Sequence, residues 1–371
     1  MVKVLFLTHN LDGGGAEKVL VNLVNNIDKT KFDVTVETIF SGGVNAENLS
    51  KDIKYFCRKK KLFKGASRAY SFFSSKLLYK NIVGKEKYDI VVAYMHGIPT
   101  KVLAGAPKGV KKVAWLHSGD MSKISLFKCF PTKSNAIKNL KQYDAIVGVS
   151  KTVIDSFSKY TGIKENLYTC YNTNETNLIL EKANEKIDFP DIKRPIICSV
   201  GRFTEEKGFS RLIDLSYRLN KEGFSHSLML IGEGKLKEEL KKKVIDMQYD
   251  KVFFTGYQKN PYAFMSKADM FVCSSYYEGL STATTEAVIL GLPCVSTDVS
   301  GAREILEPDT QGIVVENNDE SLYNGIKQMF LNLEQGKIDR EKIKNSAKKF
   351  TVQNTVGKVE ELLLAIKEKN N

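Results

Sequence analysis

Residues 269–298 read "DMFVCSSYYEGLSTATTEAVILGLPCVSTD", a pattern that indicates how the chain folds. A short apolar run ends in two serines, a loop and a helical stretch follow, and "GLP" leads into a second apolar run. Near-continuous apolar runs are typical of strands that are covered on both faces. Strands that are joined through a helix run parallel, so the stretch predicts one strand–helix–strand unit of a parallel sheet.

The same alternation of short apolar runs and helical stretches extends over the whole chain. The candidate strands are "VKVLFL", "DIVVAY", "KKVAWLH" and "DAIVGVS" in the first half, and "PIICSVG", "SLMLIG", "KVFFTG", "DMFVCSS" and "PCVSTD" in the second. This pattern predicts the α/β class, with two Rossmann-like doubly wound domains. A length of 371 residues fits two domains, and the polar, proline-containing segment 183–195 marks their boundary.

The overall composition, with 42% apolar residues, is typical of a globular protein. No apolar run approaches the length of a membrane span. The N-terminal "MVKVLFLTHN" has too short an apolar core for a signal peptide, and we interpret it as the first strand. The six cysteines form no CxxC pair and show no metal-ligand spacing, so we expect reduced thiols in a cytoplasmic protein.

The net charge of +13 belongs to the first half of the chain. Residues 1–180 contain 28 basic and 14 acidic residues, whereas the remainder contains 28 basic and 29 acidic residues. The excess is concentrated in residues 57–80, "CRKKKLFKGASRAYSFFSSKLLYK". This segment is either a solvated helix face that also packs on the core, or a basic amphipathic surface for anionic lipid headgroups. Nucleic acid is the least favoured partner, because no nucleic-acid motif accompanies the charge.

Two cations bracket the turn after "PIICSVG". In an open parallel sheet, ligands collect beyond the carboxyl ends of the strands. Arg202 as a planar fork and Lys207 as a point charge can together bind a diphosphate. The alternative is that both are surface cations, paired with Glu205 and Glu206.

Two further strands of the second half are followed by glycines. Gly232 and Gly234 follow "SLMLI" and permit close approach of the backbone to a ligand, but a plain strand-to-helix turn explains them equally well. Tyr257 follows "KVFFTG", where a flat base can lie against the backbone. Each of these signals is weak alone.

Glu278 and Glu286 lie eight residues apart, with no lysine, arginine or histidine between them. Ser281 or Thr282 can cap the helix that follows, and the N–H groups of residues 279–282 form an anion cradle. An acid so near a phosphate repels it unless the acid accepts hydrogen bonds from hydroxyls. Glu286 therefore suits a ribose and Glu278 a second polyhydroxylated group. The alternative is that both acids only stabilise the helix N-terminus, by interacting with the positive end of its dipole.

Taken together, these segments resemble the retaining family 4 of nucleotide-sugar glycosyltransferases. The family's hallmark is two glutamates separated by seven residues, after a strand that ends in serine and before "G-x-P". Here it stands as "SSYYEGLSTATTEAVILGLPCVSTD", and "SVGRFTEEKG", "LIGEG", "FTGY" and the N-terminal "GGGAEKVLVNL" match in order. The resemblance covers nearly the whole chain, and its motifs are specific as a set.

The resemblance implies the glycosyltransferase-B architecture, with two facing Rossmann-like domains and a cleft between them. Residues 1–185 would then form an acceptor-binding domain and residues 186–352 a nucleotide-sugar-binding domain. Residues 353–371 would form a C-terminal helix that returns to the N-terminal domain. No cofactor and no metal site are expected.

The resemblance also implies roles for individual residues. Catalytic roles fall to Glu278, His117, Arg202 and Lys207, with the two cations on the diphosphate and His117 near the reacting carbon of the sugar. Among the substrate-binding residues, Glu286 would hold the ribose, and Gly232, Gly234 and Tyr257 would lie near the base. The backbone of Gly279, Leu280 and Ser281 would hold the donor sugar together with Glu278. The amides of Gly14 and Gly15 could approach the transferred sugar or the leaving phosphate. His9 and His96 also end predicted strands and are candidates for contact with the acceptor.

The function implied is retaining transfer of a hexose or N-acetylhexosamine from a nucleotide sugar, with UDP the expected carrier and GDP left open. The basic, aromatic first half suits a lipid-linked saccharide acceptor at the inner face of the cell membrane, as in bacterial capsule, exopolysaccharide or lipopolysaccharide assembly. The chain has no D-x-D pair for a metal, so the cations Arg202 and Lys207 are expected to replace it.

Two rival functions remain at this stage. A nucleotide-sugar epimerase of the same architecture would need no acceptor and no basic membrane surface. A non-catalytic basic module would bind lipid or nucleic acid in a salt-sensitive way and show no preference for nucleotide sugars. The glutamate pair together with Arg202 and Lys207 argues against the second rival.

Overall fold

A parallel sheet lies at the centre of each of the two units into which the chain divides. The computed structural model describes residues 1–58, 65–121, 126–307 and 311–369. The first unit comprises Met1–Asn174 and the chain from Val352 onward, and the second comprises Glu175–Thr351.

The described residues of the first unit form a seven-stranded sheet in the order β3-β2-β1-β4-β5-β6-β7, and every neighbouring pair is parallel. Its strands are β1 Val2–Thr8, β2 Phe32–Thr38, β3 Lys54–Cys57, β4 Ile90–Ala93, β5 Lys111–Leu116, β6 Ala145–Gly148 and β7 Leu167–Thr169. Its helices are α1 Gly15–Asn26, α2 Ala66–Ser71, α3 Ser75–Ile82, α4 Ile98–Leu103, α5 Lys133–Leu140 and α6 Lys151–Thr161, with the C-terminal helix given below.

The described residues of the second unit form a six-stranded sheet in the order β10-β9-β8-β11-β12-β13, again with parallel pairs. Its strands are β8 Ile196–Val200, β9 Ser227–Ile231, β10 Val252–Gly256, β11 Met270–Cys273, β12 Cys294–Thr297 and β13 Ile313–Val315. Its helices are α7 Thr176–Ala183, α8 Phe209–Lys221, α9 Lys237–Asp246, α10 Pro261–Met265, α11 Thr282–Ile289, α12 Ala302–Ile305, α13 Asp319–Glu334 and α14 Arg340–Ser346.

The predicted class and the two doubly wound sheets are confirmed. All nine predicted apolar runs contain a strand, and the residues of β1, β4, β9 and β11 are almost entirely buried. The sequence analysis did not predict β2, β3, β7 and β13. Of these, β3 and β7 are short edge strands, and β2 alternates apolar with polar side chains, which hides it from a search for continuous apolar runs.

The division between the units falls earlier than the predicted boundary at 185/186. The segment that includes α7 packs with the second unit, because α7 contacts α10 and α11. Asn260 Nδ2 donates to the Lys182 carbonyl over 2.8 Å, and Ser266 Oγ donates to the Ala183 carbonyl over 3.1 Å. These bonds join the end of α7 to α10. The composition of segment 183–195, from which the boundary was predicted, does not indicate this contact.

The C-terminal helix α15, Val352–Glu368, belongs to the first unit. It contacts α1, and its residues Val359, Leu363 and Ile366 are buried. Glu360 accepts a bond of 2.7 Å from the backbone N–H of Asp28, which follows α1. Among the described residues, none of the helices combines the length and the apolar character needed to cross a membrane.

Candidate active site

Lys207 and Glu278 meet, although 71 residues separate them in the chain. They lie in the loops that follow β8 and β11, which are neighbours in the sheet. Lys207 Nζ lies 2.6 Å from Glu278 Oε1, and Ser275 Oγ donates to the same oxygen over 2.7 Å. The two charged side chains are only 24% and 12% exposed, so water screens this pair weakly.

The charge state of Lys207 depends on this pairing. Burial lowers its pKa, but the negative charge of Glu278 and the hydrogen bond to it more than offset that effect, so the pKa lies above its ordinary value. Lys207 is therefore a fixed cation at the carboxyl edge of the second sheet. The structure thus joins a residue predicted for the diphosphate and a residue predicted for the sugar.

Arg202 is placed differently from Lys207. Its side chain is 66% exposed, and its Nη2 lies 3.9 Å from Glu206 Oε1. The nearby Glu205 pairs instead with Lys235 over 3.1 Å. Arg202 is therefore a surface cation beside a neighbouring acid, as the alternative interpretation of the sequence expected. Lys207 is not, because its partner is Glu278.

Gly232 and Gly234 are required by the packing of two loops. A Cβ on Gly232 would lie 2.0 Å from the Gly201 carbonyl oxygen, and the φ of +142° disfavours any L side chain. A Cβ on Gly234 would lie 2.5 Å from the backbone of Phe203. The loop after β9 thus lies directly against the loop that carries Arg202, which accounts for both glycines without a ligand.

Tyr257 follows β10 and is 63% exposed. The N–H of Gly232 donates to the Gly256 carbonyl over 2.9 Å, so the loops after β9 and β10 are adjacent. The structure therefore gathers the residues predicted for the base at one part of the sheet edge. Their role toward a base stays a prediction.

The helix α11 begins directly after the loop that carries Glu278. Ser281, one of the two predicted caps, accepts bonds from Thr284 N over 3.2 Å and from Thr284 Oγ1 over 2.8 Å. Gly279 and Leu280 complete the loop, and Leu280 is buried. The first N–H groups of a helix carry a partial positive charge, which favours an anion beside this loop.

Glu286 lies inside α11 and is only 5% exposed. Its Oε1 accepts a hydrogen bond of 3.0 Å from the hydroxyl of Tyr262 in α10. A ribose bound by Glu286 would therefore share the carboxylate with Tyr262. Sequence analysis missed Tyr262, because nothing in the chain links α10 to a helix that begins some twenty residues later.

Three histidines follow neighbouring strands of the first sheet: His9 after β1, His96 after β4 and His117 after β5. The ring of His117 lies 4.8 Å from the ring of Tyr94. His117 Nε2 and His96 Nδ1 are buried without a hydrogen-bond partner. Unpaired buried nitrogens are costly, and such groups concentrate at functional sites.

These three histidines are neutral at ordinary pH. Burial lowers the pKa of His9 and of His96 to about 4. Burial and then the proximity of His96 lower the pKa of His117 to about 3. Imidazoles held neutral can donate and accept hydrogen bonds, which suits contact with sugar hydroxyls.

The glycines before α1 have different positions in that helix. Gly14 is its N-cap and Gly15 its first residue. A Cβ on Gly14 would lie 2.1 Å from Glu17 Oε2, so the carboxylate of Glu17 closely approaches the backbone at this helix N-terminus. The predicted sugar or phosphate contacts of Gly14, Gly15 and His117 stay predictions.

Residues 1–58, 65–121, 126–307 and 311–369 contain no group of three or more histidine, cysteine, aspartate or glutamate side chains that could hold a metal ion. Six cysteines in these ranges are free thiols.

Both halves of the chain match known families. Residues 13–176 match the model described as Glycosyltransferase Family 4, and residues 181–350 match the model described as Glycosyl transferases group 1. The chain belongs to the glycosyltransferases. The resemblance drawn from the glutamate pair and the glycine-rich segments is thereby confirmed.

Curated relatives match most of the length of this glycosyltransferase. It is 27% identical over 368 residues to the N-acetylgalactosamine-N,N'-diacetylbacillosaminyl-diphospho-undecaprenol 4-alpha-N-acetylgalactosaminyltransferase of Campylobacter jejuni, covering 94% of this chain and 96% of that protein. It is 27% identical over 323 residues to the lipopolysaccharide core biosynthesis glycosyltransferase LpsE of Rhizobium meliloti, covering 85% of each.

Solved structures agree with the fold of this glycosyltransferase. HepE of Anabaena in complex with UDP-glucose has a TM-score of 0.76 at 19% identity, over 98% of this chain and 100% of that one. Sucrose-phosphate synthase of Thermosynechococcus elongatus has a TM-score of 0.80 at 14% identity, over 99% of each chain. At such identities the likeness shows the fold alone, the glycosyltransferase-B type.

Removing the charge of Glu278 should destabilise the second unit. In Glu278→Gln, Lys207 keeps its partly desolvated charge but loses its anionic partner, so we expect the free energy of unfolding to fall by about 1–3 kcal/mol. Urea unfolding measures this change. The control is Glu205→Gln, whose pair with Lys235 is exposed (78% and 64%) and should contribute within about 0.5 kcal/mol. Equal effects of the two substitutions would contradict the coupling.

The neutral histidines predict a loss of stability in mild acid. Their pKa values are lower in the folded state than the ordinary 6.5, so the unfolded state binds more protons between pH 6.5 and about 4. The stability that the neutral histidines contribute is therefore fully present above pH 6.5 and is lost as the pH falls toward 4. His117→Gln should reduce the slope of unfolding free energy against pH by up to about 1.4 kcal/mol per unit. An unchanged slope from pH 6.5 to 4.5 would show that His117 is protonated in the fold.

Proposed function

We propose that this glycosyltransferase moves a hexose or N-acetylhexosamine from a UDP-linked donor to a lipid-linked saccharide, with retention of anomeric configuration and without a metal ion. The observation that carries the proposal is the pair of Lys207 and Glu278, a fixed cation and a carboxylate held together beside the N-terminus of α11. A nucleoside diphosphate sugar presents anionic oxygens and hydroxyls side by side, and this pair complements both.

Lys207 is the proposed stabiliser of the leaving group. Cleavage of the bond between the sugar and the diphosphate places increasing negative charge on the leaving oxygen, while the anomeric carbon becomes oxocarbenium-like. A preorganised cation lowers the energy of such a transition state without reorganisation of water. Arg202, which is exposed and only loosely paired, is free to turn its planar guanidinium toward the diphosphate when the donor binds.

Glu278 is proposed to position the donor sugar and to stabilise the positive charge that develops on it. Retention is proposed from the family resemblance, by a same-face reaction in which the leaving phosphate oxygen accepts the proton of the acceptor hydroxyl. Independence from metal is proposed because the chain has no D-x-D pair and because Lys207 already supplies a positive charge.

The choice of UDP and of a lipid-linked acceptor is supported by relatives. HepE of Anabaena has been solved with UDP-glucose. The Campylobacter jejuni relative is named for a saccharide on diphospho-undecaprenol, and the Rhizobium meliloti relative for lipopolysaccharide core biosynthesis. We extend this acceptor class to the present chain, in capsule, exopolysaccharide or lipopolysaccharide assembly.

Titration with UDP and GDP in the presence of a chelator tests the donor proposal. We expect UDP to raise the thermal midpoint, because a ligand that binds only the folded state stabilises it. Lys207→Ala should weaken UDP binding by about 10-fold to 100-fold, the loss of one charge-assisted contact. The control is Lys235→Ala, a lysine in the same unit that is 64% exposed, which should leave UDP affinity unchanged.

The other outcomes of this titration separate the rivals. A response to GDP alone would replace UDP by a GDP-linked donor, and a requirement for added metal would refute metal independence. Conversion of a UDP-sugar to its epimer without any acceptor would establish the epimerase. Wild-type affinity in Lys207→Ala would remove Lys207 from the donor site. With donor and acceptor in hand, the NMR spectrum of the product reads the anomeric configuration.

The α2–α3 segment supports an additional proposal, that the protein binds the anionic inner face of the cell membrane. Phe72, Phe73 and Leu77 are 81%, 50% and 44% exposed, and the cations Arg68, Lys76 and Lys80 are exposed beside them. Leu78 and Tyr79 point the other way and are buried in the core. Exposed aromatic side chains among cations favour the interface of an anionic bilayer. Residues 59–64, which belong to the same predicted basic surface, lie outside the described residues.

Vesicle binding tests this surface. Phe72→Ser with Phe73→Ser should weaken binding to phosphatidylglycerol-containing vesicles by about fivefold or more, because apolar burial and charge act together. The control is Ile245→Ser, which removes an apolar side chain that is 73% exposed on α9 of the second unit. Equal binding to pure phosphatidylcholine vesicles would contradict the proposed attraction between the exposed cations and anionic lipid. Unchanged binding in the double variant would contradict the proposed burial of Phe72 and Phe73 in the bilayer interface.

A further inference from the structure

Arg211, a residue that no motif of the sequence marks, holds the loop that leads from β11 to Glu278. It lies in the first turn of α8 and is only 3% exposed. Its Nε donates to the Ser274 carbonyl over 2.8 Å, and its Nη2 donates to the Ser275 carbonyl over 2.8 Å and to Asn317 Oδ1 over 2.9 Å. One planar guanidinium thus engages two consecutive backbone carbonyls of the loop.

The next residue of the loop is held by the same group of side chains. The guanidinium of Arg211 lies 3.9 Å from the centre of the Tyr276 ring. Asn317 Nδ2 donates to the Tyr276 carbonyl over 2.8 Å. Asn317 therefore accepts from the guanidinium on one side and donates to the loop on the other, so the three form a closed set of contacts.

The loop in turn fixes the backbone around Lys207. Ser274 Oγ donates to the Lys207 carbonyl over 2.9 Å, and the N–H of Tyr276 donates to the Glu206 carbonyl over 2.8 Å. Gly208 approaches so closely that a Cβ there would lie 2.1 Å from the Ser274 carbonyl oxygen. Movement of residues 274–276 would therefore displace the backbone of Lys207 as well as that of Glu278.

The charge of Arg211 is not explained by an ordinary ion pair. Asp319 is 3.7 Å away but 65% exposed, and the other partners described above are neutral oxygens and a ring. Burial of a guanidinium costs free energy that must be offset by its contacts. A fork of five donors can serve two carbonyls and an amide at once, whereas a lysine ammonium lacks this planar arrangement.

We propose that Arg211 is a positioning residue for the donor site: its guanidinium fixes residues 274–276 and thereby sets the geometry between Lys207 and Glu278. This inference rests on the proposed function, in which Lys207 and Glu278 bind the donor. Arg211 itself touches no reacting atom in this scheme.

The variants Arg211→Lys and Arg211→Met separate hydrogen bonding from packing, since methionine keeps much of the side-chain length but has no donors. Arg218 supplies the matched control. It lies on the same helix, and its guanidinium is 3.8 Å from the centre of the Tyr323 ring. It is 45% exposed, and it bonds to Glu222 over 3.1 Å and to Glu320 over 2.7 Å, away from residues 274–276.

UDP affinity by calorimetry is the readout, with the thermal midpoint measured in parallel. Both Arg211 variants should bind UDP at least about tenfold more weakly, the scale of a misplaced charge-assisted contact, and Arg218→Lys and Arg218→Met should stay within about twofold. Asn317→Ala, a substitution at an exposed residue, should weaken UDP binding to an intermediate extent without preventing folding.

A double-variant cycle distinguishes positioning from a merely structural role. If Arg211 acts through Lys207, then Arg211→Lys should cost much less UDP affinity in a Lys207→Ala background than in the wild type. Losses that multiply in full would overturn the inference, and so would a lowered thermal midpoint in Arg211→Lys with wild-type UDP affinity.

The same experiment separates this inference from the proposed function. A wild-type protein that binds UDP, with Arg211 and Asn317 variants that bind it equally well, refutes the positioning role alone. A wild-type protein that binds neither UDP nor GDP refutes the donor proposal, and the positioning role falls with it.

Discussion

Parallel strands that are covered on both faces leave only their ends for polar chemistry. The central strands β4, β9 and β11 are buried along their whole length, and all neighbouring strands of both sheets are parallel. Every predicted site residue in the second unit therefore lies either in a loop that follows a strand or in the helix that comes directly after that loop. Lys207 and Glu278 meet because β8 and β11 are neighbours in the sheet, although β9 and β10 come between them in the chain.

The candidate site residues of the two units differ in how burial affects their charge. In the second unit Lys207 keeps its charge, because the negative charge of Glu278 and the hydrogen bond to it more than offset the effect of burial on the pKa of Lys207. In the first unit three histidines at neighbouring strand ends lose theirs, since burial lowers each pKa far below neutrality. A site of fixed charge suits a diphosphate, and a site of neutral donors and acceptors suits hydroxyl groups. This contrast follows from burial and pairing, not from residue type alone.

Much of the candidate site was predictable, because local sequence determines strand ends, helix caps and glycine turns. Ser281, one of the two predicted caps, caps α11, and the glutamate spacing indicated the family that the comparisons confirm. The pairing of Lys207 was not predictable, since Glu205 and Glu206 are nearer in the chain than Glu278. Arg211 was hidden for the same reason: its partners at 274–276 and 317 come from distant loops.

The α/β class, the two doubly wound sheets, the family and most of the candidate residues could be predicted from the sequence, whereas Tyr262 and Arg211 could not. These properties follow from apolar runs and from short motifs, which act over a few neighbouring residues. The three-dimensional structure was needed to show which charges are paired, which histidines are neutral, and that Gly232 and Gly234 allow two loops to pack closely. Burial, electrostatic coupling and close backbone approach depend on distances between residues far apart in the chain, and those distances exist only once the sheets have formed.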